Sequence, residues 1–141
     1  MISPRRRRHV NRDGATVVEF AVTAPILFLL LFGCWEVSRA NMLRNLARSA
    51  AYEGARKGIT PGATADEVRD NAQALLDAVG VRGASIAVTP ATITKNTTTV
   101  AVDISIPINS NTYVVPFFFR DKQMQSSCVM TREDSLKSIV P

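Results

Sequence analysis

Histidine and cysteine are nearly absent from this 141-residue chain, which has one His and two Cys. His9 lies among arginines, Cys34 falls at the far end of an apolar run, and Cys128 sits near the C-terminus. Two thiols so placed make no disulfide framework. Neither metal-ligand spacing nor a Ser-His-Asp arrangement can be assembled from such a set, so no metal, no cofactor and no enzymatic activity are expected. Aromatic residues make up only 6% of the chain, yet three of them stand together as Phe117-Phe118-Phe119. Acidic residues are scarce at the N-terminus, where Arg5, Arg6, Arg7, Arg8 and Arg12 face Asp13 alone. That segment holds +4 of the formal net charge of +5, so the remaining body is near neutral.

Charge is missing altogether from Phe20 to Trp35, and Val17 to Val37 adds only Glu19 and Glu36 at its ends. A helix over that stretch reaches roughly 30 Å, the thickness of a bilayer's hydrocarbon core. A basic arm on a neutral body can bind phosphates. Directly before an apolar helix, however, it is first a topology signal, and no nucleic-acid partner is expected. Lys/Arg clusters stay cytoplasmic, so the N-terminus is expected inside and the C-terminus outside. Arg39, Arg44 and Arg48 beyond the helix weaken the asymmetry without reversing it.

The pattern predicts an α+β chain in four segments. Residues 1–14 form an unstructured basic leader, 15–37 a transmembrane helix, 38–58 an amphipathic helical stalk, and 59–141 a small extracytoplasmic domain. In the stalk, Leu43, Leu46, Ala47, Ala50 and Gly54 recur at helical spacing, and Glu53 is placed to pair with Arg56 and Lys57. Ala47, Ala51 and Ala55 form a small-residue stripe that either admits another helix or simply reflects the helix propensity of alanine. Gly58 to Gly62 ends the helix. A second, short helix starts at Thr64, with Glu67 at capping-box spacing. It buries Val68, Ala72, Leu75, Leu76 and Val79 and stops at Gly80.

After Gly83 the period changes to two. Ile86 and Val88 mark one strand, Val100, Val102, Ile104 and Ile106 a second, and Met124, Cys128 and Met130 a third, giving a small antiparallel sheet of about three strands. Lys95-Asn96 is read as a turn. The Phe117–Phe119 run lies in the loop from Pro107 to Arg120. Its rings meet a partner, a membrane surface or the domain's own helix, and burial against that helix is the plainer expectation.

Glu19 is a carboxylate inside the start of an apolar helix, where a charge is costly unless paired or interfacial. Cleavage after Gly14 would give Ala15 a free α-ammonium. Across a helix–helix contact, that group could meet the Glu19 of a neighbour and fix register. Left uncleaved, Glu19 is a solvated residue at the membrane edge.

Gly14, four residues, then Glu19-Phe20, on a basic leader before an apolar helix, resembles the processing site of type IV prepilins. The wider run from Gly14 to Ala21, with Pro25, Leu29-Leu30-Leu31-Phe32-Gly33, Glu36 and the later Ala50-Ala51-Tyr52-Glu53-Gly54-Ala55-Arg56, resembles the TadE-like family of tight-adherence (Tad/Flp) pilus assembly proteins. The resemblance covers about residues 10–58. It implies cleavage between Gly14 and Ala15 by a prepilin peptidase, and a pilin-like (pseudopilin) minor subunit assembled through Glu19 and Phe20. The implied partners are other pilin and pseudopilin subunits, the inner-membrane assembly platform and the lipid bilayer. Pro25 removes a backbone donor and either kinks the helix for its exit into a fibre or is merely tolerated. The main structural pilins of such systems resemble little beyond leader and helix, so the extra domain implies an accessory role. Two other readings stay open. Leu31-Phe32-Gly33-Cys34 resembles a lipobox, which would make the chain a lipoprotein lipidated at Cys34, and a signal-anchored extracytoplasmic protein of another role fits the same span.

Overall fold

An unbroken series of strong helix formers, from the apolar run through the alanine-rich stretch, dictates the first element. In the computed structural model, which describes residues 12–113 and 116–132, helix α1 spans Arg12–Gly58 with Pro25 inside it. It begins three residues before the expected start at Ala15, so Arg12, Asp13 and Gly14 are helical rather than part of an irregular leader. Arg5, Arg6, Arg7 and Arg8 lie outside the described residues. The chain divides into two compact units between Trp35 and Glu36.

The first unit contributes the apolar part of α1. Its large side chains, from Val17 to Trp35, are exposed along their whole length. By length and composition this is a helix able to cross a membrane. A core helix of a soluble protein passes the same length test, but its apolar side chains would be covered by the rest of the fold; here Phe20 is 69% exposed. The element suggests membrane anchoring.

The second unit starts at Glu36 and is built on one hydrophobic core. Helix α1 ends at Gly58, the turn passes through Gly62 at φ 83°, and helix α2 follows at Ala65–Ala78. Thr64 caps α2 as the sequence predicts, its Oγ1 accepting the Glu67 N–H at 3.2 Å. Gly80, at φ 73°, closes the other end: its N–H donates to the Asp77 carbonyl and the Val81 N–H donates to that of Leu76. This is a Schellman cap, with buried Val81 and Leu76 supplying its apolar contact.

Strands β1 (Ser85–Thr89), β2 (Thr99–Pro107) and β3 (Gln123–Thr131) form an antiparallel sheet in the order β1-β2-β3. In β2 the alternation of Val100, Val102, Ile104 and Ile106 with smaller or polar residues puts the first set wholly in the core. Val102 pairs with Val88 on one side and Cys128 on the other, so the period-two pattern also sets register.

Against this face lie Leu43, Ala47, Ala50, Ala51 and Ala55 of α1 and Val68, Ala72 and Leu76 of α2. The alanine stripe is therefore buried in the chain's own core and is not open to a second helix. Gly54 and Gly58 matter for the same reason. A Cβ on Gly58 would lie 2.9 Å from Val100 Cγ1 and 3.1 Å from Val68 Cγ2, and one on Gly54 would lie 3.2 Å from Ala72 Cβ.

Three local expectations are corrected. Val79 is exposed, because it is the C-cap residue and points past the last turn of α2. Lys57 pairs with Glu67 rather than Glu53, at 3.9 Å, because α2 begins beside the end of α1; Arg56 takes Glu53. Phe117 and Phe118 are exposed, and only Phe119 packs against the core.

Candidate functional site

Two sets of residues carry the functional argument, one in each unit. In the first, Gly14, Ala15, Glu19, Phe20 and Pro25 follow one another along α1, and all five are exposed. A Cβ on Gly14 would meet nothing within 4 Å, so no contact within the described residues requires glycine there. Ala15 and Glu19 are four residues apart and share a face of the helix. Thr23 donates its hydroxyl to the carbonyls of Glu19, at 2.9 Å, and Phe20. Such back-bonding satisfies a hydroxyl within a helix without a partner from another element. Of the basic residues, Arg12 lies on the helix backbone, while Arg5 to Arg8 are outside the described residues.

In the second unit, Glu36 is the first charged residue after the apolar run, and at 9% exposure it is nearly covered. Its carboxylate accepts three successive backbone N–H groups: Phe117 donates to Oε1, while Phe118, at 2.8 Å, and Phe119, at 3.3 Å, donate to Oε2. Consecutive amides turned toward one point form an anion-binding concavity, here filled by the chain's own carboxylate. Burial of a carboxylate is tolerated because its lone pairs are met by charge-assisted hydrogen bonds.

One helical turn further, the Arg39 Nε donates to the Asn111 carbonyl at 2.6 Å, and its guanidinium lies 5.9 Å from the centre of the Tyr113 ring. Asn111 is itself buried. Its side chain accepts from the Arg82 N–H and donates to the carbonyls of Arg82 and Pro107. Glu36 and Arg39 thus tie the segment between β2 and β3 to α1 from the two ends that the structure describes. Sequence reasoning missed the tying roles of Glu36 and Asn111. Glu36 had the weak signal of a charge closing an apolar run; Asn111 had none, since its partners come from distant loops.

Both cysteines are free thiols, Cys34 on the exposed surface of α1 and Cys128 half-buried in β3. Among the described residues no group of three His, Cys, Asp or Glu side chains could hold a metal ion.

Residues 14–56 match the family model described as TadE-like protein. No curated protein and no solved structure matches the chain. The matched segment opens on Gly14, contains Glu19, Phe20, Pro25, Glu36 and the buried alanines, and leaves α2 and the sheet outside it.

Proposed function

We propose, on the match of residues 14–56 to the TadE-like family model, that this chain belongs to a Tad pilus system and is a minor pilin-like (pseudopilin) subunit for assembly of a Tad/Flp-type adhesive pilus. The observation that carries the reading is the position of the family match. It begins at the glycine that closes the basic leader and runs through the exposed apolar helix that the match shares with Glu19 and Phe20. A prepilin peptidase would cut after Gly14, and the protein would sit in the inner membrane with its arginines cytoplasmic and residues 59–141 outside. The domain beyond the matched segment supports an accessory rather than a main structural role. Its partners would be the peptidase, other pilin and pseudopilin subunits, the assembly platform and the bilayer, and the protein would do no chemistry of its own.

In this reading the cut creates an ammonium on Ala15 at the start of an apolar helix. That ammonium lies one helical turn from Glu19 within its own subunit, but across a helix–helix contact it could meet the Glu19 of a neighbour directly. A reciprocal Ala15–Glu19 pair between neighbours would satisfy both charges in a low-dielectric contact and set the axial register of packed helices. The test is crosslinking to other pilins, or pilus formation, in strains carrying Glu19→Ala and Glu19→Gln at matched protein level. Glu19→Ala is expected to insert normally, because losing a charge favours the membrane, and to abolish assembly. Glu19→Gln, which keeps shape and a hydrogen bond, should fall between. Wild-type assembly by Glu19→Ala would reject the pairing.

A further inference from the structure

Phe117 and Phe118 present an arrangement that packing does not explain. The two rings meet edge to face, with centroids 5.2 Å apart and planes at 81°, yet Phe117 is 78% and Phe118 58% exposed. Tyr113, earlier in the same connection, is 91% exposed. Buried neighbours do not hold the rings in place; their own backbone does, through the amides that Glu36 accepts. Below them, Phe119 packs on the core, and its carbonyl accepts the Lys122 N–H. Next along the chain, Asn109 and Asp121 bond reciprocally, side chain to side chain at 2.7 Å and Asp121 N–H to Asn109 Oδ1 at 3.2 Å. These bonds fix residues 117–122 to α1 and to Asn109, and this stretch carries apolar rings on the outside.

Its place along the chain identifies what covers it. Glu36 directly follows Trp35, the last residue of the charge-free run, so it stands one helical rise, about 1.5 Å, from the end of the apolar segment. The amides of Phe117, Phe118 and Phe119 are therefore tied to the first residue after that segment. We infer that Phe117 and Phe118 enter the headgroup–acyl boundary of the bilayer that the first helix occupies, with Glu36 as the clamp that holds them at that depth. Aromatic side chains concentrate at this boundary, and apolar groups of surface-bound elements sink about 5–10 Å into it. The charges next to the loop are basic on balance, which suits an anionic surface: exposed Arg120 and Lys122 flank exposed Asp121, and Arg39 lies by Tyr113. A second copy of the chain or another protein could also cover two phenylalanines. The bilayer is favoured because covalent continuity with the apolar run brings it to the loop without a further partner. The inference rests on membrane anchoring of α1, though not on cleavage or on a role in the pilus.

The test uses the full chain in vesicles of phosphatidylethanolamine and phosphatidylglycerol, some carrying bromine high on the acyl chain. Trp35→Phe removes the single native tryptophan. Phe118→Trp or Phe117→Trp then reports on the loop, and Tyr52→Trp, on exposed α1 surface about 24 Å further along the axis from Glu36, serves as control. Flotation with the vesicles reads anchoring separately. The expected result is a blue-shifted Phe118→Trp emission, quenched severalfold more by lipid bromine than Tyr52→Trp, at every protein-to-lipid ratio. Phe117→Trp should behave alike. Chains that float but whose loop tryptophans are quenched by aqueous acrylamide as freely as the control would overturn the inference and leave anchoring intact. Shielding that vanishes on dilution with lipid would assign the rings to a second copy and overturn it equally. A chain that does not float overturns both.

Discussion

At the scale of single residues, the most consequential group is a carboxylate whose two oxygens have different partners. Oε1 of Glu36 accepts one amide and Oε2 accepts two. Glu36→Gln is nearly isosteric but must turn an NH2 toward at least one N–H, so it removes acceptance at one oxygen and adds a donor–donor clash. Hydrogen exchange of the amides of Phe117, Phe118 and Phe119 should rise in Glu36→Gln and further in Glu36→Ala, while the amides of β2 keep their protection. Unchanged exchange at the three phenylalanines would show that the loop holds itself without the clamp. This contact was not legible in the sequence. Local pattern gives Glu36 as the polar end of an apolar run and the phenylalanines as a loop, and nothing in a periodicity joins positions 81 to 83 residues apart. Thr64 and Gly80, by contrast, were legible, because helix caps are written within a few residues of the backbone groups they satisfy.

At the scale of elements, the fold depends on how closely α1, α2 and β2 approach. Alanines 47, 51 and 55 and the two glycines keep that face of α1 flat, and the isoleucines and valines of β2 fill the space opposite. Gly58→Ala would put a methyl 2.9 Å from a valine of β2 and 3.1 Å from one of α2. It should destabilise the domain by about 1–3 kcal/mol, the range for overpacking a filled core. Gly54→Ala should cost less, since its nearest contact is 3.2 Å and an interior helical Gly→Ala change returns up to about 1 kcal/mol of propensity. Urea midpoints of the two variants in detergent decide the order; a Gly58→Ala chain as stable as the parent would contradict the close approach. Strand and helix identities were readable from period two and period 3.6. What covers each face was not, because a buried stripe reads the same whether its partner is a sheet of the same chain or a helix of another.

At the scale of the whole molecule, the chain joins a helix whose residues 14–56 match the TadE-like family model to a second helix and a sheet that lie outside the match. The helix alone carries the resemblance, and there the sequence was most informative. Basic leader, glycine, glutamate, proline and apolar length fall in one register, and each has its own physical reason. The pilin-like role has one step that no plain membrane anchor shares, the exchange of a fourteen-residue leader for a charged amine beside Glu19. The intact mass of the mature protein, recovered from membranes of the native host, tests that step directly. A chain that begins at Ala15, together with a Gly14→Leu variant that keeps the mass of the full sequence, is the predicted result. A mature wild-type chain that still carries its arginines, or one that begins at a lipidated Cys34, would contradict it.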